Sequence, residues 1–311
     1  MKRGNLIRIA LLAILLLAVS VYSAGKTVTL KLNLQKGQSY GVKMVMDQFI
    51  TQTLQGQKME ITQNIAMGYV LEVMDRDQSG NMKVKVTYKT ISFRSKTPMV
   101  SLEYDSEKQT DQIDPSLVGY AALVGKSYTM TFTPAGHVLE VGGINEMIDE
   151  IISKLELPDE EMKNSVKAQM QAQFGEESIR ESMENAFAIY PEKEVKKGSK
   201  WKKRIIMSKG FPMIVDTIWK LKSRVDGIST LEVASKVKPN PDAAPLDLGI
   251  MKMSYTVSGK QGGTIEVDED TGWTLRAKII QNISGTVKME GQQNMEWPMT
   301  IKSTMEYEPL K

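Results

Sequence analysis

His137 is the only histidine in the chain, and it sits in Thr133-Pro134-Ala135-Gly136-His137. The chain has no cysteine, so a zinc ion here would have only carboxylates as co-ligands, an unusual set for that metal. A serine–histidine–aspartate triad remains formally open, but no Gly-x-Ser-x-Gly segment is read as offering a nucleophile elbow. The flanking residues spell a turn between the strands Tyr128–Phe132 and Val138–Val141, so a solvent-exposed turn histidine is the simpler reading. Asp268-Glu269-Asp270-Thr271-Gly272 starts like a calcium loop, yet it lacks the spaced acidic positions and the closing glutamate. It separates Ile265–Val267 from Trp273–Leu275 and reads better as a hairpin turn. Paired carboxylates for glycoside chemistry could be drawn from 37 acids, and spacing singles out no pair. The sequence therefore names no catalytic residue, no cofactor and no metal ligand.

Two other features could bind. Lys193 to Arg204 holds seven basic residues around Val195, Gly198 and Trp201. Lys196, Lys197, Lys200 and Trp201 could dock on anionic headgroups or polymer; the alternative is a solvated strand edge, where lysines block edge-to-edge pairing. The 21 methionines are the second feature. Met44, Met46, Met67, Tyr69, Met82, Met299 and Met305 fall on strand faces and form a candidate apolar ligand face, against the alternative of methionine packing a core in place of leucine. Asn282-Ile283-Ser284 matches a glycosylation sequon, but Ile283 belongs to a paired strand.

The elements that position these residues are mostly strands. Val28, Leu30, Leu32 and Leu34 alternate with polar residues up to Lys36-Gly37. Val42, Met44, Met46, Ile50 and Leu54 continue on even positions. After Gly56-Gln57, Met59, Ile61, Ile65, Met67, Tyr69, Leu71 and Val73 fall on odd ones. A type II′ turn with Gly56 first pairs Leu54 with Met59, Met46 with Met67 and Val42 with Leu71, and puts every apolar residue on one face. Met82, Val84, Val86 and Tyr88 extend that face after a turn at Asp75–Gly80. At the other end of the chain, pairing Met289 with Met295 sets Val287 opposite Trp297 and Ile283 opposite Ile301.

Two echoes of wording suggest related halves. One is Gly56-Gln57-Lys58-Met59-Glu60 against Gln293-Asn294-Met295-Glu296. The other is Leu34-Gln35-Lys36-Gly37-Gln38-Ser39-Tyr40 against Val195-Lys196-Lys197-Gly198-Ser199-Lys200-Trp201.

Helices lie between the halves. Ile144, Met147, Ile148, Ile151, Ile152 and Leu155 have one-face helical spacing. Pro158 ends that run and opens a second helix with buried Met162, Val166, Met170 and Phe174; after Gly175, Ile179, Met183, Phe187 and Tyr190 mark a third, stopped by Pro191. A short helix from Pro115 to Val124 is capped by Asp114, and the loop Pro239–Pro245 cannot be a central strand.

Residues 1–24 have the pattern of a secretory signal peptide: Lys2, Arg3 and Arg8, an apolar run from Ile9 to Val19, then small residues. Cleavage is expected at Ser20, Ser23 or Ala24, with Ser23 favoured, and without cysteine no lipoprotein anchor forms. Removing three basic groups from 40 leaves 37 against 37 acids, a neutral chain that does not fit a nucleic-acid partner.

Leu123-Val124-Gly125-Lys126-Ser127-Tyr128, Pro134-Ala135-Gly136, Val141-Gly142-Gly143-Ile144, Tyr190-Pro191 and Asp270-Thr271-Gly272 together resemble an uncharacterised family of exported bacterial proteins, known as a domain of unknown function. The resemblance implies bacterial export and carries over no functional residue. More loosely, long antiparallel strands with amphipathic helices are similar in architecture to periplasmic lipoprotein carriers of the LolA type, where helices cover a concave apolar face.

The expected fold is mainly β (α+β). Long antiparallel meander strands in two related halves form a curved sheet or sheets, with amphipathic helices between the halves. The expected divisions are 1–24 signal peptide, 25–157 N-terminal half, 158–190 helical insert and 191–311 C-terminal half. The expected function is that of an exported, non-catalytic envelope protein, periplasmic or secreted, that holds an apolar ligand, lipid or lipidated partner in a sheet-and-helix cradle. The alternatives are a structural or protein-interaction module and a carboxylate-based hydrolase of envelope polymer. Contact with export machinery is expected only through the signal peptide.

Overall fold

A computed structural model describes residues 27–108, 113–155, 159–208, 212–247, 252–291 and 294–310. Residues 1–24, expected to be a signal peptide, and Pro158 and Gln293 lie outside the described residues. The period-two runs form long strands: β1 (Ser39–Leu54), β2 (Gln57–Arg76) and β3 (Met82–Lys96), with the short β4 (Ser101–Asp105) beside β3. A single 3-10 turn at Pro115–Leu117, capped by the Asp114 carboxylate on Ser116 N–H (2.9 Å), leads into α1 (Val118–Leu123). Then come β5 (Ser127–Phe132), β6 (Val138–Gly142), and the helices α2 (Ile144–Lys154), α3 (Glu160–Phe174) and α4 (Glu176–Phe187). The second run holds β7 (Lys200–Met207), β8 (Met213–Val225), β9 (Ile228–Pro239), β10 (Leu246–Asp247), β11 (Lys252–Asp268), β12 (Thr274–Glu290) and β13 (Met295–Glu308).

All of these strands join one antiparallel sheet, ordered β6-β5-β3-β2-β1-β13-β12-β11-β9-β8-β7, with β10 against β11. First and last strands pair at its centre, and β6 and β7 are its edges. The C-terminal hairpin has the expected register, Met289 with Met295, Val287 with Trp297 and Ile283 with Ile301. The first hairpin does not. Its turn is Gln55-Gly56, with φ of +50° and +79°, a type I′ geometry with glycine second. Leu54 therefore pairs with Gln57, Met46 with Ile65, Met44 with Met67 and Val42 with Tyr69. The slip from the expected register is two residues, and because side chains alternate with period two, every residue keeps its face.

The halves repeat each other bond by bond at their entries. Gly37 N–H donates to Val73 O (2.8 Å), Val73 N–H to Gln38 O (3.0 Å) and Gln38 N–H to Gln35 O (3.1 Å). In the second half, Gly198 N–H donates to Leu221 O (2.8 Å), Leu221 N–H to Ser199 O (3.0 Å) and Ser199 N–H to Lys196 O (2.9 Å). A bulge follows each, after Val73 and after Leu221. The strand-entry echo is thus a structural equivalence. The hairpin echo is not: β1–β2 and β12–β13 are neighbours across the sheet's centre, not equivalent positions of the repeat.

The alternating leucines before Gly37 are extended and buried (Leu30 1%, Leu32 0%, Leu34 0% exposed), but they form no sheet strand. Their segment is a strap across the end of the sheet, because its N–H groups find turn carbonyls instead of a ladder. Leu32 N–H donates to Pro134 O (2.8 Å) and Asn33 N–H to Thr271 O (2.7 Å). A second strap, 188–195, crosses the other way, and Val28 and Val195 exchange two backbone bonds (2.8 and 3.0 Å) where the straps meet. Beneath them a chain of rings, Tyr40–Trp273–Phe187–Phe132, joins the halves at centroid distances of 5.2, 5.8 and 4.9 Å.

α2 buries Ile144, Met147, Ile148 and Ile151, and α3 buries Met170 and Phe174, in the same core as Val84, Met130 and Leu231. α4 touches both edge strands. Arg180 donates to the β6 carbonyls of Val138 (3.2 Å) and Leu139 (3.3 Å), and the Glu181 carboxylate accepts from Ser208 N–H just past β7 (2.8 Å). One helix thereby covers both edges of the sheet.

The straps leave no room at the turns they cross. A Cβ on Gly272 (φ +72°) would stand 2.1 Å from Lys31 O, whereas one on Gly37 (φ +78°) would meet nothing within 4 Å. Gly272→Ala is expected to cost more than Gly37→Ala by about 1–3 kcal/mol in urea unfolding, the overpacking term added to a shared positive-φ penalty. Equal costs would show that the strap does not press on that turn.

Glu269 in the same turn takes two bonds from Arg224 (2.7 Å each) and one from Ser229 Oγ (2.6 Å). Chiefly through Arg224, these hold its carboxyl below the ordinary glutamate range despite partial burial. A depressed folded pKa gives stability that is complete above the unfolded value near ~4.3 and is lost as pH falls through the folded one. Glu269→Gln is expected to flatten the acid limb of stability below about pH 5, read from Tm against pH, and an unchanged limb would rule the pair out as its source.

Candidate functional site

A polar line crosses the apolar face of the sheet in register. Gln48 of β1 pairs with Ser303 of β13, Ser303 with Gln281 of β12, Gln281 with Gln261 of β11, Gln261 with Ser235 of β9 and Ser235 with Thr217 of β8. On the other side Gln48 pairs with Gln63 of β2, and Gln63 with Ser95 of β3. Over five strands the side chains form a hydrogen-bonded ladder. Ser303 Oγ donates to Gln281 Oε1 (3.1 Å), Gln281 Nε2 to Gln261 Oε1 (3.4 Å) and Gln261 Nε2 to Ser235 Oγ (3.3 Å), while Ser235 Oγ and Thr217 Oγ1 share a bond at 2.8 Å. Ser303, Ser235 and Thr217 are buried, so these bonds stand in for water.

The belt separates two apolar regions. On the strap side, Tyr40, Met44, Met46, Met67, Val233 and Ile265 belong to the core that the helices cover. On the other side, Met213, Val215, Val237, Val257, Ile283, Val287, Trp297, Met299 and Ile301 form a separate cluster. Over it lies a trough of about 360 Å³, within the range of small-molecule sites. Its described lining comes from strands alone: β1, β8, β11, β12 and β13. Ile50 and Met213 both line it, although β13, β12, β11 and β9 stand between their strands. Flat, five strand steps would span about 24 Å, so the sheet curls to bring them together. Glycine permits the curl: a Cβ on Gly263 would stand 1.9 Å from Lys278 O, and one on Gly285 would stand 2.0 Å from Thr256 O.

The trough wall is apolar in character, with polar groups at the belt. Gln48 and Gln281 line the belt side, while Gln52, four residues further along β1, has its Nε2 3.7 Å from Met299 Sδ. No Lys, Arg, Asp or Glu lines it among the described residues. Burial pushes the pKa of the Tyr255 phenol on this wall above its ordinary value. Trp297 is 8% exposed, and its Nε1–H has no hydrogen-bond partner among the described residues. A second depression of about 440 Å³, between Lys43, Lys89, Glu107 and Glu308, is charged and lies on the opposite face.

The structure divides the methionine face expected from sequence. Met82 and Met67 are buried in the helix-covered core, with Met44, Met46 and Tyr69 packed against it. Tyr69 Oη donates to Met67 Sδ (2.9 Å). Met305 pairs with Met46 on that side of the belt and is half-buried. Met299 alone of the seven lines the trough. Lys196, Lys197 and Lys200 are exposed, but Trp201 donates its Nε1–H to Ile189 O (2.7 Å) and stacks on Trp219. β7 is an edge strand, the setting in which alternating lysines block pairing.

His137 is exposed in its turn with Nδ1 2.6 Å from Glu184 Oε1 of α4. Asp268 Oδ1 accepts from Thr271 N–H (2.8 Å) and Oγ1–H (2.6 Å), closing a turn. Asn282 is exposed on the outer face of β12.

Sequence reasoning misses the trough residues Gln48, Gln52, Met213, Met253, Tyr255 and Gln281. Their signal is faint: glutamines standing in the apolar phase of otherwise alternating strands. Gly37-Gln38-Ser39-Tyr40-Gly41 is also a Gly-x-Ser-x-Gly spelling, hidden where the leucine run ends and β1 begins. Ser39 there is exposed, opens a strand paired to Glu72 and is followed by no helix, so it is not the strand–turn–helix elbow of that motif.

A family profile, Family of unknown function (DUF6263), matches residues 79–274. No curated protein matches the chain. Among solved structures, lipovitellin, in a study of its lipid–protein interactions, aligns with TM-score 0.48 and 7% identity over 89% of this chain and 25% of that one. The chain thus spans a quarter of that protein's length. OpdQ of Pseudomonas aeruginosa aligns with TM-score 0.20 and 8% identity, over 88% of this chain and 100% of that one. An outer membrane channel from Pseudomonas putida F1 aligns with TM-score 0.18 and 8% identity, over 88% and 96%.

Ser235→Ala removes the partner of a buried Thr217 hydroxyl and is expected to cost about 1–3 kcal/mol. Adding Thr217→Val removes the stranded hydroxyl as well, and the double variant is expected to recover most of that loss. Additive losses in urea unfolding would show that the ladder bond at this step is not coupled.

Proposed function

The chain belongs to DUF6263, a family of unknown function, and we propose that it binds an apolar ligand of lipid type in the open trough without transforming it. The observation that carries this reading is the trough itself, an apolar hollow of about 360 Å³ bounded by strands and a hydrogen-bonded polar belt. Apolar wall left facing water is unfavourable by about 25 cal/mol per Å², and a guest that covers it recovers that energy. The reading moves the ligand from beneath the helices, where the core is filled by side chains such as Met82, Val84 and Phe132, to the other side of the belt. Methionines on the wall suit it, since thioether chains repack around guests of differing shape. Export to the bacterial envelope is part of the proposal and is supported by the pattern of residues 1–24.

Protein purified from the envelope of its own cells, extracted with organic solvent and weighed by native mass spectrometry, is expected to carry a lipid-sized mass. The delipidated protein is expected to take up Nile red, a neutral apolar dye. Met253→Trp, which puts an indole on the trough wall, is expected to weaken dye binding at least about tenfold, a loss on the scale of one well-buried side chain. Protein recovered empty and unable to bind the dye would overturn the reading in favour of a structural or interaction module.

A further inference from the structure

We propose that the outer face of the sheet, directly behind the belt, binds a flexible linear polyanion, a polymer chain with repeated phosphate or carboxylate groups. The observation is one row of the register. Arg204 of β7 pairs with Asp216 of β8, Asp216 with Lys236 of β9, Lys236 with Lys260 of β11, Lys260 with Asn282 of β12 and Asn282 with Lys302 of β13. The row continues through Phe49 of β1 and Thr62 of β2 to Lys96 of β3. From β8 to β3 each member stands next in sequence to a belt residue, so its side chain points to the opposite face. All but Asp216 are exposed.

Five cations in this row meet one acid, and that acid is taken: Asp216 is held by Arg204 (2.6 Å) and by Lys238 (2.8 Å). Lys96, Lys236, Lys260 and Lys302 have no ion-pair partner among the described residues. Neighbouring rows do not share the surplus. Toward the straps, one holds Lys202 and Arg94 against Asp47, and the next holds Lys200, Lys220 and Lys278 against Glu232 and Glu306. Cross-strand pairs cancel charge there, Lys220 with Glu232 at 3.1 Å and Lys278 with Glu306 at 2.7 Å. On the other side Ser258, Ser284, Thr300 and Thr51 are uncharged.

Lys236 and Lys260 are direct register partners, and like charges set opposite each other destabilise a sheet. Both lie on interior strands, so neither lysine blocks an edge. A bound anion relieves that repulsion. A narrow row suits a single chain, and the sheet bends along the row as it curls about the trough. A flexible polymer follows the bend, whereas a flat bilayer touches only part of it.

Calorimetric titration of the purified protein with long-chain inorganic polyphosphate and with polygalacturonate, at several salt concentrations, tests this and tells phosphate from carboxylate. At least one polymer is expected to bind, with affinity falling on a log–log plot against salt at a slope of about 3, from ~0.7 per unpaired lysine as on single-stranded nucleic acid. Lys236→Gln combined with Lys260→Gln is expected to reduce that slope by about 1.4, with Tm unchanged or raised because the opposed pair is gone. Lys220→Gln combined with Lys278→Gln removes the same net charge from residues that already have partners and is expected to leave affinity and slope nearly as they were. Equal losses in the two variants would overturn the row as the site. So would an unchanged slope in the first, or a fall in its Tm with polymer affinity kept. Binding of phosphatidylglycerol vesicles where neither polymer binds would overturn the polymer in favour of a membrane surface. Nile red uptake is expected to be the same in the first variant as in the unmodified protein, so failure at the row and failure at the trough are read separately.

Discussion

Val28 and Val195 exchange two backbone hydrogen bonds, and at that small ladder the two straps, one entering each half, are tied together. Much else hangs on the crossing. The first strap carries Leu30, Leu32 and Leu34 into the core, each worth about 1.5–3 kcal/mol of burial relative to exposure. It can lie that low only because the turn beneath it has glycine at position 272. The end of α4, where the second strap begins, imposes the same condition on Gly136, where a Cβ would stand 1.8 Å from Phe187 O and 3.0 Å from Ala188 N. Each half of the repeat thus presents a bare turn to the strap that enters the other half. The buried Tyr190 hydroxyl, donating to Gly272 O at 2.6 Å, fastens the crossing from the second side.

Closure at the strap end accounts for the difference between the two ends of the sheet. α4 contacts β6 and β7, the two end strands of the main path among the described residues, so the sheet is bridged there and its core is covered. Away from the straps the same strands continue, and curvature alone brings β1 toward β8. Where the covered core gives way to the uncovered region, the residues that stay in apolar phase turn polar. Gln48, Ser303, Gln281, Gln261, Ser235 and Thr217 do this in adjacent registers. From Ser303 to Thr217 these amides and hydroxyls bond to one another, so the dry core ends there with its buried hydroxyls partnered.

Much of the fold is legible in sequence because a half-buried strand writes its period plainly. Val42, Met44, Met46 and the residues of β2 show it, and the cap at Asp114 is as plain. Turn chemistry is harder. Gln55-Gly56 and Gly56-Gln57 both contain the glycine a hairpin needs, and only the backbone decides which pair takes positive φ, hence the two-residue slip. The leucine run before Gly37 looks like a strand because its burial alternates, yet alternation reports burial on one side and not a hydrogen-bonded neighbour. The belt is written too, as gaps: the apolar phase of β1 skips 48, that of β12 skips 281, and that of β13 skips 303. Each gap alone is an ordinary polar substitution. Their alignment appears only when the register of non-consecutive strands is known, and sequence periodicity does not give that register.

The methionines show the same limit from the side of composition. A count of 21 records an adaptable interior without saying where adaptability is used. Met82 and Met130, 0% and 1% exposed, fill gaps in a core enclosed by branched and aromatic neighbours, where a thioether is one packing solution among several. Met213, Met253 and Met299 stand on the wall of a hollow, with side-chain partners on one side and space on the other. A branched residue there would hold one shape at the cost of fitting no other; an unbranched one follows whatever lies beside it. The same residue type therefore carries opposite meanings on the two sides of the belt, and the in-register glutamines and serines between them mark where one meaning ends.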